Sequence, residues 1–263
     1  MNPKIKKIIL KKDRSKIVSL TAYSKSISKI LDNFCDIILV GDSMANVLYG
    51  HKNTHKINLK NIIQHTLSVQ MGIKKALLVV DMPIGTYKNP NIAFKNAKMI
   101  MRETKCDAVK LENFKNNYKT IKFLVKNKIP VMGHIGYTPQ FKKKFRLEGQ
   151  SKKEISDLLK EAKSIEEAGA FSIVLECLTS KAAKLITSKV QIPTIGIGSS
   201  SYCDGQILVT DDMLGLSGFY PKFVKKYANL NRLIEKAVKK YTRDVKLKKF
   251  PSKKYFLNGT KFR

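Results

Sequence analysis

Short apolar runs alternate with longer polar stretches along this chain of 263 residues, and this alternation constrains the fold more than any other feature. The runs are rich in β-branched residues and lack helical spacing, which is typical of buried strands. The stretches between them have the length of helices. Strands that alternate with helices pair in parallel. The predicted strands cover residues 16–21, 36–40, 76–80, 108–111, 130–134, 171–175, 194–197 and 206–209.

Eight strands with intervening helices match a closed (β/α)8 TIM barrel, and the chain length fits one domain of this kind. No internal repeat, low-complexity segment or Pro/Gly-rich linker interrupts the sequence. We therefore expect one barrel domain over residues 1–263, which ends in a C-terminal helical segment and a basic tail. The predicted helices cover residues 24–33, 59–71, 91–104, 118–127, 153–168, 181–188 and 233–241.

An ionisable residue closes five of the apolar runs. In a parallel barrel the C-terminal strand ends share one mouth, and barrel enzymes place their chemistry there. One spacing pattern thus predicts that four carboxylates and an imidazole meet at a single pocket. These residues are Asp42, Asp81, Glu112, His134 and Glu176.

Asp42 and Asp81 suggest a metal site, because each closes a strongly apolar strand and the two strands are neighbours. Two carboxylates close together repel unless a proton or a cation lies between them. Mg2+ prefers one or two carboxylates together with substrate oxygens and water. Glu112 could add a contact through a bound water. The alternative is that either aspartate only caps the turn after its strand.

Lys110 and Ser43 are candidates for substrate binding. Lys110 lies two residues before Glu112, so both side chains face the same way on a strand. A lysine that points inward from an apolar run needs an anionic partner, which is Glu112, a bound substrate or both. Ser43 can offer a hydroxyl or a backbone N–H to a substrate carboxylate, or it can simply form a turn with its own backbone.

Glu176 and His134 are candidates for proton transfer and hydrogen bonding. A carboxylate among apolar neighbours has a raised pKa, which suits general acid or base chemistry. A structural salt bridge is the alternative for Glu176. We expect His134 to donate a hydrogen bond to substrate at the mouth, although a lone histidine is often structural.

The formal net charge is +31, from 51 Lys and Arg against 20 Asp and Glu. The basic residues are spread along the whole chain. Lys far outnumbers Arg and Trp is absent, and a coding sequence rich in A/T codons would produce this composition. We therefore predict no specific nucleic-acid partner, which would need basic residues clustered with aromatic ones.

No apolar stretch approaches the ~20 residues of a membrane span. The four cysteines form no CxxC pair, and we expect reduced thiols in the cytoplasm.

Eight short motifs stand in a fixed order and together resemble the ketopantoate hydroxymethyltransferase family over about residues 16–220. Any one of them is modest evidence, whereas eight in order are highly specific. They are LTAY at 20–23, VGDS at 40–43, DMP followed by Gly and Tyr at 81–87, VKLE at 109–112, PVMGHIGYTPQ at 130–140, VLEC at 174–177, IPTIGIG at 192–198 and CDGQ at 203–206.

The resemblance implies a (β/α)8 transferase in pantothenate and coenzyme A biosynthesis. It implies that a hydroxymethyl group passes from 5,10-methylenetetrahydrofolate to 3-methyl-2-oxobutanoate, which gives 2-dehydropantoate. It further implies a homodecamer of two stacked pentamers. By position, it assigns Mg2+ to Asp42, Asp81 and Glu112, the keto acid to Asp42, Ser43, Asp81 and Lys110, and the proton to Glu176.

The sequence departs from the family pattern in two places, neither of which touches these residues. Met44-Ala45-Asn46-Val47 follows VGDS, and GIGSSSYCDGQ replaces the more usual GIGAGxxCDGQ. The alternative interpretation keeps the barrel and the metal but predicts an enzyme like phosphoenolpyruvate mutase or isocitrate lyase. A catalytic cysteine loop would favour that alternative, and the sequence contains none that we identify.

Overall fold

Eight parallel strands close into a barrel in chain order. The computed structural model describes residues 2–114, 117–142, 144–218 and 220–256, so the last seven residues of the predicted basic tail lie outside the described chain. The predicted barrel is confirmed, and each strand lies within two residues of its predicted bounds. The strands are β1 (Ile17–Thr21), β2 (Ile37–Val40), β3 (Leu77–Asp81), β4 (Ala108–Lys110), β5 (Val131–Gly136), β6 (Ser172–Glu176), β7 (Thr194–Ile197) and β8 (Gly205–Leu208).

Helices follow most of the strands and cover the outside of the barrel. Several begin at a polar cap whose side chain accepts a backbone N–H, as Asn58, Asn89, Ser151 and Thr179 do. They are α1 (Pro3–Ile9), α2 (Lys25–Leu31), α3 (Met44–Val47), α4 (Leu59–Gln70), α5 (Pro90–Thr104), α6 (Tyr118–Lys126), α7 (Lys152–Glu167), α8 (Ser180–Lys189), α9 (Thr210–Met213) and α10 (Leu230–Lys246).

The alternation of side chains along each strand aims the polar residues at the barrel axis. On β3, Val79 belongs to the inner layer and Val80 to the outer layer beneath the helices. Since side chains alternate between the two faces, the inner row continues to Asp81. The same alternation places Lys110 after Ala108 on β4, His134 after Met132 on β5, and Glu176 after Val174 on β6.

The short helix α1 was not predicted from the sequence. Its Ile5 and Ile8 are buried against inner-layer residues such as Ile17 and Leu77. This packing closes the N-terminal end of the barrel and leaves the opposite end open. The isoleucines stand among lysines, so the segment has the composition of a solvated basic run, and only tertiary burial makes it a helix.

The helix α10 is longer than predicted, and none of its residues is buried. Among the residues that the structure describes, no helix combines the length and the apolar character that crossing a membrane would require.

Candidate functional site

A cavity of about 610 Å³ opens at the C-terminal ends of the strands. Small-molecule sites typically have volumes of roughly 300–1,000 Å³. All of the side chains that the sequence predicts for the site line this cavity. They are Asp42, Ser43, Asp81, Lys110, Glu112, His134 and Glu176.

Lys110 forms a buried ion pair at the floor of the cavity. Its Nζ donates to Asp81 Oδ1 at 2.8 Å, since the two residues are register partners on β4 and β3. Burial by itself lowers the pKa of Lys110, but the charges of Asp81, Glu112 and Asp42 outweigh this effect and raise the pKa above its ordinary value. Lys110 is therefore a permanent cation.

The carboxylates around Lys110 carry more negative charge than it offsets. The backbone N–H of Asp42 donates to Asp81 Oδ2 at 3.1 Å, which brings these residues together. Burial, and next the charge of Asp81, raises the pKa of Asp42 to about 7. Burial and Asp42 likewise raise the pKa of Glu112 well above its ordinary value. The site therefore favours the binding of additional positive charge.

The buried residue Gln140 links two of these carboxylates, a role that the sequence analysis did not assign to it. Its Nε2 donates to Asp42 Oδ2 at 2.8 Å, and its backbone N–H donates to Glu112 Oε2 at 3.0 Å. The only sequence signal was its place at the end of the PVMGHIGYTPQ motif.

His134 and Glu176 form a second group beside the first. His134 Nε2 lies 3.2 Å from Glu176 Oε2, and His134 Nδ1 lies 3.7 Å from Glu112 Oε1. Neither ring nitrogen makes a well-aligned hydrogen bond to any residue that the structure describes. Burial, and then the charge of Lys110, lowers the pKa of His134 well below its ordinary value. The ring is therefore neutral.

Glu176 remains accessible from the cavity, with 17% of its side chain exposed. Burial raises its pKa to about 8, and the favourable charge of Lys110 does not cancel this effect. A carboxyl group with a pKa near neutrality can accept and return a proton at physiological pH. Among the described residues, no lysine or aspartate side chain forms an ion pair or hydrogen bond with Glu176, in contrast to the Lys110–Asp81 pair.

Ser43 lies at the start of α3, where its Oγ is 2.8 Å from the hydroxyl of Tyr23. The carbonyl of Tyr23 is in turn bonded to His65 Nδ1 at 2.8 Å. Burial raises the pKa of Tyr23, so this phenol stays protonated. The serine is thus held in place by a hydrogen-bonded network that joins the segment after β1 to α4.

The outer cavity is lined by residues that the sequence analysis did not assign to the site. They come from two connecting segments: Lys52, Asn53, Thr54 and His55 precede α4, while Pro221, Phe223 and Val224 precede α10. His55, which lies on the first of these segments, is therefore a cavity residue. Loop residues carry no periodic signal, so this placement depends on tertiary structure.

The carboxylates have the chemistry of a hard-cation site, although they are not arranged as a ready ligand set. Within the described ranges, no three His, Cys, Asp or Glu residues are grouped so that they could hold a metal ion. Lys110 and Gln140 instead bind some of the carboxylate oxygens. The candidate metal ligands are all carboxylate oxygens, and their negative charge is only partly neutralised. These two properties suit Mg2+ rather than a softer metal.

Comparison with known proteins identifies the family. The sequence pattern described as ketopantoate hydroxymethyltransferase matches residues 3–253. A protein of Pelagibacter ubique (strain HTCC1062) named 3-methyl-2-oxobutanoate hydroxymethyltransferase is 52% identical over 255 residues, which are 97% of this chain and 99% of that protein. A protein of the same name from Anaplasma marginale (strain St. Maries) is 47% identical over 92% of this chain and 88% of its own length.

Among solved structures, 2,3-dimethylmalate lyase, a member of the PEP mutase/isocitrate lyase superfamily, has a similar fold. Its TM-score is 0.62 at 13% identity, over 98% of this chain and 93% of that one. At this identity the similarity concerns the fold alone. The sequence matches are far stronger, and we conclude from them that the chain belongs to the ketopantoate hydroxymethyltransferase family.

Proposed function

We propose that this protein transfers a hydroxymethyl group from 5,10-methylenetetrahydrofolate to 3-methyl-2-oxobutanoate to give 2-dehydropantoate, a step of pantothenate and coenzyme A biosynthesis. The relative from Pelagibacter ubique, similar over nearly its whole length, bears the name of this activity. The observation that carries the proposal is the charge layout of the cavity. A buried acidic cluster with Lys110 lies beside a separate carboxyl group, Glu176, whose pKa is near neutrality.

Mg2+ belongs to the proposal as the cofactor, held by Asp42, Asp81 and Glu112. When bound, it would supply Lewis-acid polarisation of the keto acid oxygens. The raised pKa values of Asp42 and Glu112 support this assignment, because they show that the positive charge near these carboxylates does not balance their negative charge.

The residues of the chain divide the remaining work between binding and proton transfer. The Lys110 ammonium and the Ser43 hydroxyl bind the oxygens of the keto acid, with His134 as a further donor. Glu176 accepts the proton that leaves C3, and Lys110 stabilises the negative charge that then develops on the keto oxygen. Water adds to the methylene carbon while its two bonds to the folate nitrogens break, which gives tetrahydrofolate and formaldehyde. C3 then bonds to the formaldehyde carbon, and the formaldehyde oxygen takes up a proton and becomes the hydroxyl of the product.

The direct test is an assay of purified protein with 3-methyl-2-oxobutanoate, 5,10-methylenetetrahydrofolate and Mg2+. We expect 2-dehydropantoate to form only when all three are present. 2,3-Dimethylmalate and phosphonopyruvate are the comparison substrates, because enzymes named for them have a similar fold. Turnover of one of these, with none of the keto acid, would reject the proposal.

Lys110→Met provides a prediction about substrate binding. We expect the KM for the keto acid to rise about 10- to 100-fold, because a hydrogen bond to a charged group contributes roughly 1.5–3 kcal/mol. Lys12→Met is the matched control, since Lys12 also pairs with a buried aspartate, Asp204, at 3.0 Å, but does not line the cavity. The control should lower the Tm and leave the KM unchanged. Equal effects of the two variants on Tm, with both KM values unchanged, would make Lys110 a structural residue.

We also propose that the protein is a homo-oligomer, and by family resemblance a decamer. The exposed side of α10 supports self-association, because it presents a row of apolar side chains at helical spacing. These side chains are 43% to 59% exposed in the single chain, which is unusual for a contiguous apolar face. They are Leu233, Ile234, Val238, Tyr241 and Val245.

The prediction for this surface is that Val238→Asp reduces the molecular mass of the assembly. A buried, unpaired carboxylate disfavours association far more than an exposed one does. Lys240→Asp is the control, since it places the same side chain on the opposite face of the same helix. Light scattering after gel filtration measures the mass of each variant. If Val238→Asp keeps the wild-type mass, α10 is not part of the interface.

A cytoplasmic location completes the proposal. All four cysteines lie in described parts of the chain, and all are free and buried. A protein without disulfides needs no oxidising compartment. Neither a nucleic acid nor a membrane has a place in this function.

A further inference from the structure

Gln140 uses every polar group of its side chain, although it is only 2% exposed. Nε2 donates to Asp42 Oδ2 at 2.8 Å and to the carbonyl of Met82 at 3.1 Å. Oε1 accepts from the hydroxyl of Tyr87. The backbone N–H of Gln140 donates to Glu112 Oε2 at 3.0 Å. One residue therefore connects two carboxylates of the acidic cluster to two structural groups.

These partners determine the orientation of the amide. A carboxylate oxygen and a backbone carbonyl can only accept, so the NH2 group must face Asp42 and Met82. Burial raises the pKa of Tyr87, which keeps its hydroxyl protonated and able to donate to Oε1. A flipped amide would place Oε1 against the Asp42 carboxylate and the Met82 carbonyl, and both of these hydrogen bonds would be lost.

The aromatic residues around Gln140 hold it in place. The next residue, Phe141, stacks on Phe114 with ring centroids 4.2 Å apart and an interplanar angle of 4°. The ring of Tyr87 meets the edge of Phe141 at 6.1 Å. Such pairs contribute about 0.5–1.5 kcal/mol each beyond their buried area. The amide is thus anchored through both Tyr87 and Phe141.

We propose that Gln140 is a positioning residue, which sets the separation of the Asp42 and Glu112 carboxylates and thereby determines the affinity of the site for a divalent cation. This inference rests on the proposed function, because it requires that these carboxylates bind the cation. A neutral amide suits the task, since it orients one oxygen of each carboxylate without cancelling the charge that attracts a cation. A lysine in its place would neutralise the site.

The expected size of the effect follows from other metal sites. Groups that orient metal ligands without touching the metal typically change metal affinity by about 10- to 100-fold when they are removed. Gln140→Met keeps the length and apolar volume of the side chain but removes all three of its hydrogen bonds. We expect this variant to bind Mg2+ about 10- to 100-fold more weakly than the wild type.

Isothermal titration of metal-free protein with MgCl2, without substrates, measures this affinity independently of catalysis. Tyr87→Phe is the second variant, because it keeps the ring packing and removes only the hydroxyl that orients the amide. It should weaken Mg2+ binding in the same direction, by less. Thr66→Val is the control, since Thr66 is fully buried, lies outside the cavity lining and donates its hydroxyl to the carbonyl of Ile62 within α4. It should lower the Tm and leave the affinity unchanged.

The possible results separate this inference from the proposed function. Weaker binding in Gln140→Met and Tyr87→Phe, with wild-type affinity in Thr66→Val, supports the inference. Wild-type affinity in Gln140→Met overturns it and leaves the proposed metal site intact. If Gln140→Met does not fold, wild-type affinity in Tyr87→Phe overturns it. If the wild-type protein itself binds no Mg2+, the metal role in the proposed function fails, and the inference fails with it.

Discussion

We expect Glu176→Gln to stop the exchange of the C3 proton of 3-methyl-2-oxobutanoate with solvent deuterium. The glutamine keeps the size and the hydrogen-bonding capacity of the glutamate but cannot accept a proton. Turnover should therefore fall by at least ~10²-fold, the contribution that a positioned acid or base typically makes. Proton NMR in deuterated water follows the exchange in the absence of folate, which isolates proton removal from one-carbon transfer.

The control for this variant is Glu161→Gln on α7. Burial also raises the pKa of Glu161, but this residue does not line the cavity. It should exchange the C3 proton at the wild-type rate, and both variants should keep Mg2+ and keto acid binding. If Glu176→Gln exchanges the proton as fast as the wild type, Glu176 is not the base. It would then act later, on the folate nitrogen or on the incoming carbon, and His134 would be the next candidate.

The pH dependence has a definite sign. A base must be ionised, and the pKa of Glu176 is about 8, so the exchange rate should rise about tenfold per pH unit below that value and level off above it. Bound Mg2+ favours the ionised form and moves the inflection to lower pH.

The stability of the folded protein should fall, rather than rise, with increasing pH, because the pKa of Glu176 in the folded protein lies above its ordinary value of 4.5. The contribution of Glu176 to the free energy of unfolding is fully present below pH 4.5 and is lost as the pH rises through about 8. Glu176→Gln should therefore retain more of its Tm than the wild type over this interval.

The sequence predicted the barrel and the side chains at its mouth because strand geometry is periodic. Lys110 and Glu112 are two residues apart, and the structure places both in the same cavity. Asp81 follows an apolar strand, and its place at the end of the inner row of β3 follows from simple alternation. Residues of this kind can be found from spacing alone, since each strand of a parallel barrel delivers its inner row to the same end.

Other features depend on tertiary contacts that leave no period in the sequence. Gln140 lies on a connecting segment, and only the structure shows that its amide meets Asp42 while its backbone meets Glu112. His55 reaches the cavity for the same kind of reason. The helix α1 forms because Ile5 and Ile8 are buried against the N-terminal end of the barrel. These cases share one cause: long-range packing, rather than local propensity, selects the conformation.

Asp81→Asn should have the second large effect, because Asp81 is the centre of the acidic cluster. Its Oδ1 accepts from Lys110 and its Oδ2 accepts from the backbone of Asp42. Asparagine preserves the shape but removes the charge, so it weakens both the attraction for a cation and the ion pair of Lys110. We expect Mg2+ affinity and keto acid affinity to fall together, whereas Lys110→Met mainly weakens the keto acid.

Removal of the metal should reproduce the loss of activity in the wild-type protein. Chelation by EDTA should lower turnover by about 10³-fold, which corresponds to the several kcal/mol that a Lewis acid contributes, and added MgCl2 should restore it. In Asp81→Asn the same addition should restore little activity. Asp32→Asn is the matched control, since Asp32 is buried and accepts from the backbone N–H groups of residues 74–76 but does not line the cavity. The Asp32→Asn variant should have a lower Tm than the wild type and an unchanged Mg2+ affinity. Full activity after chelation, or wild-type Mg2+ affinity in Asp81→Asn, would show that the carboxylates of this cavity serve Lys110 and the substrate rather than a cation.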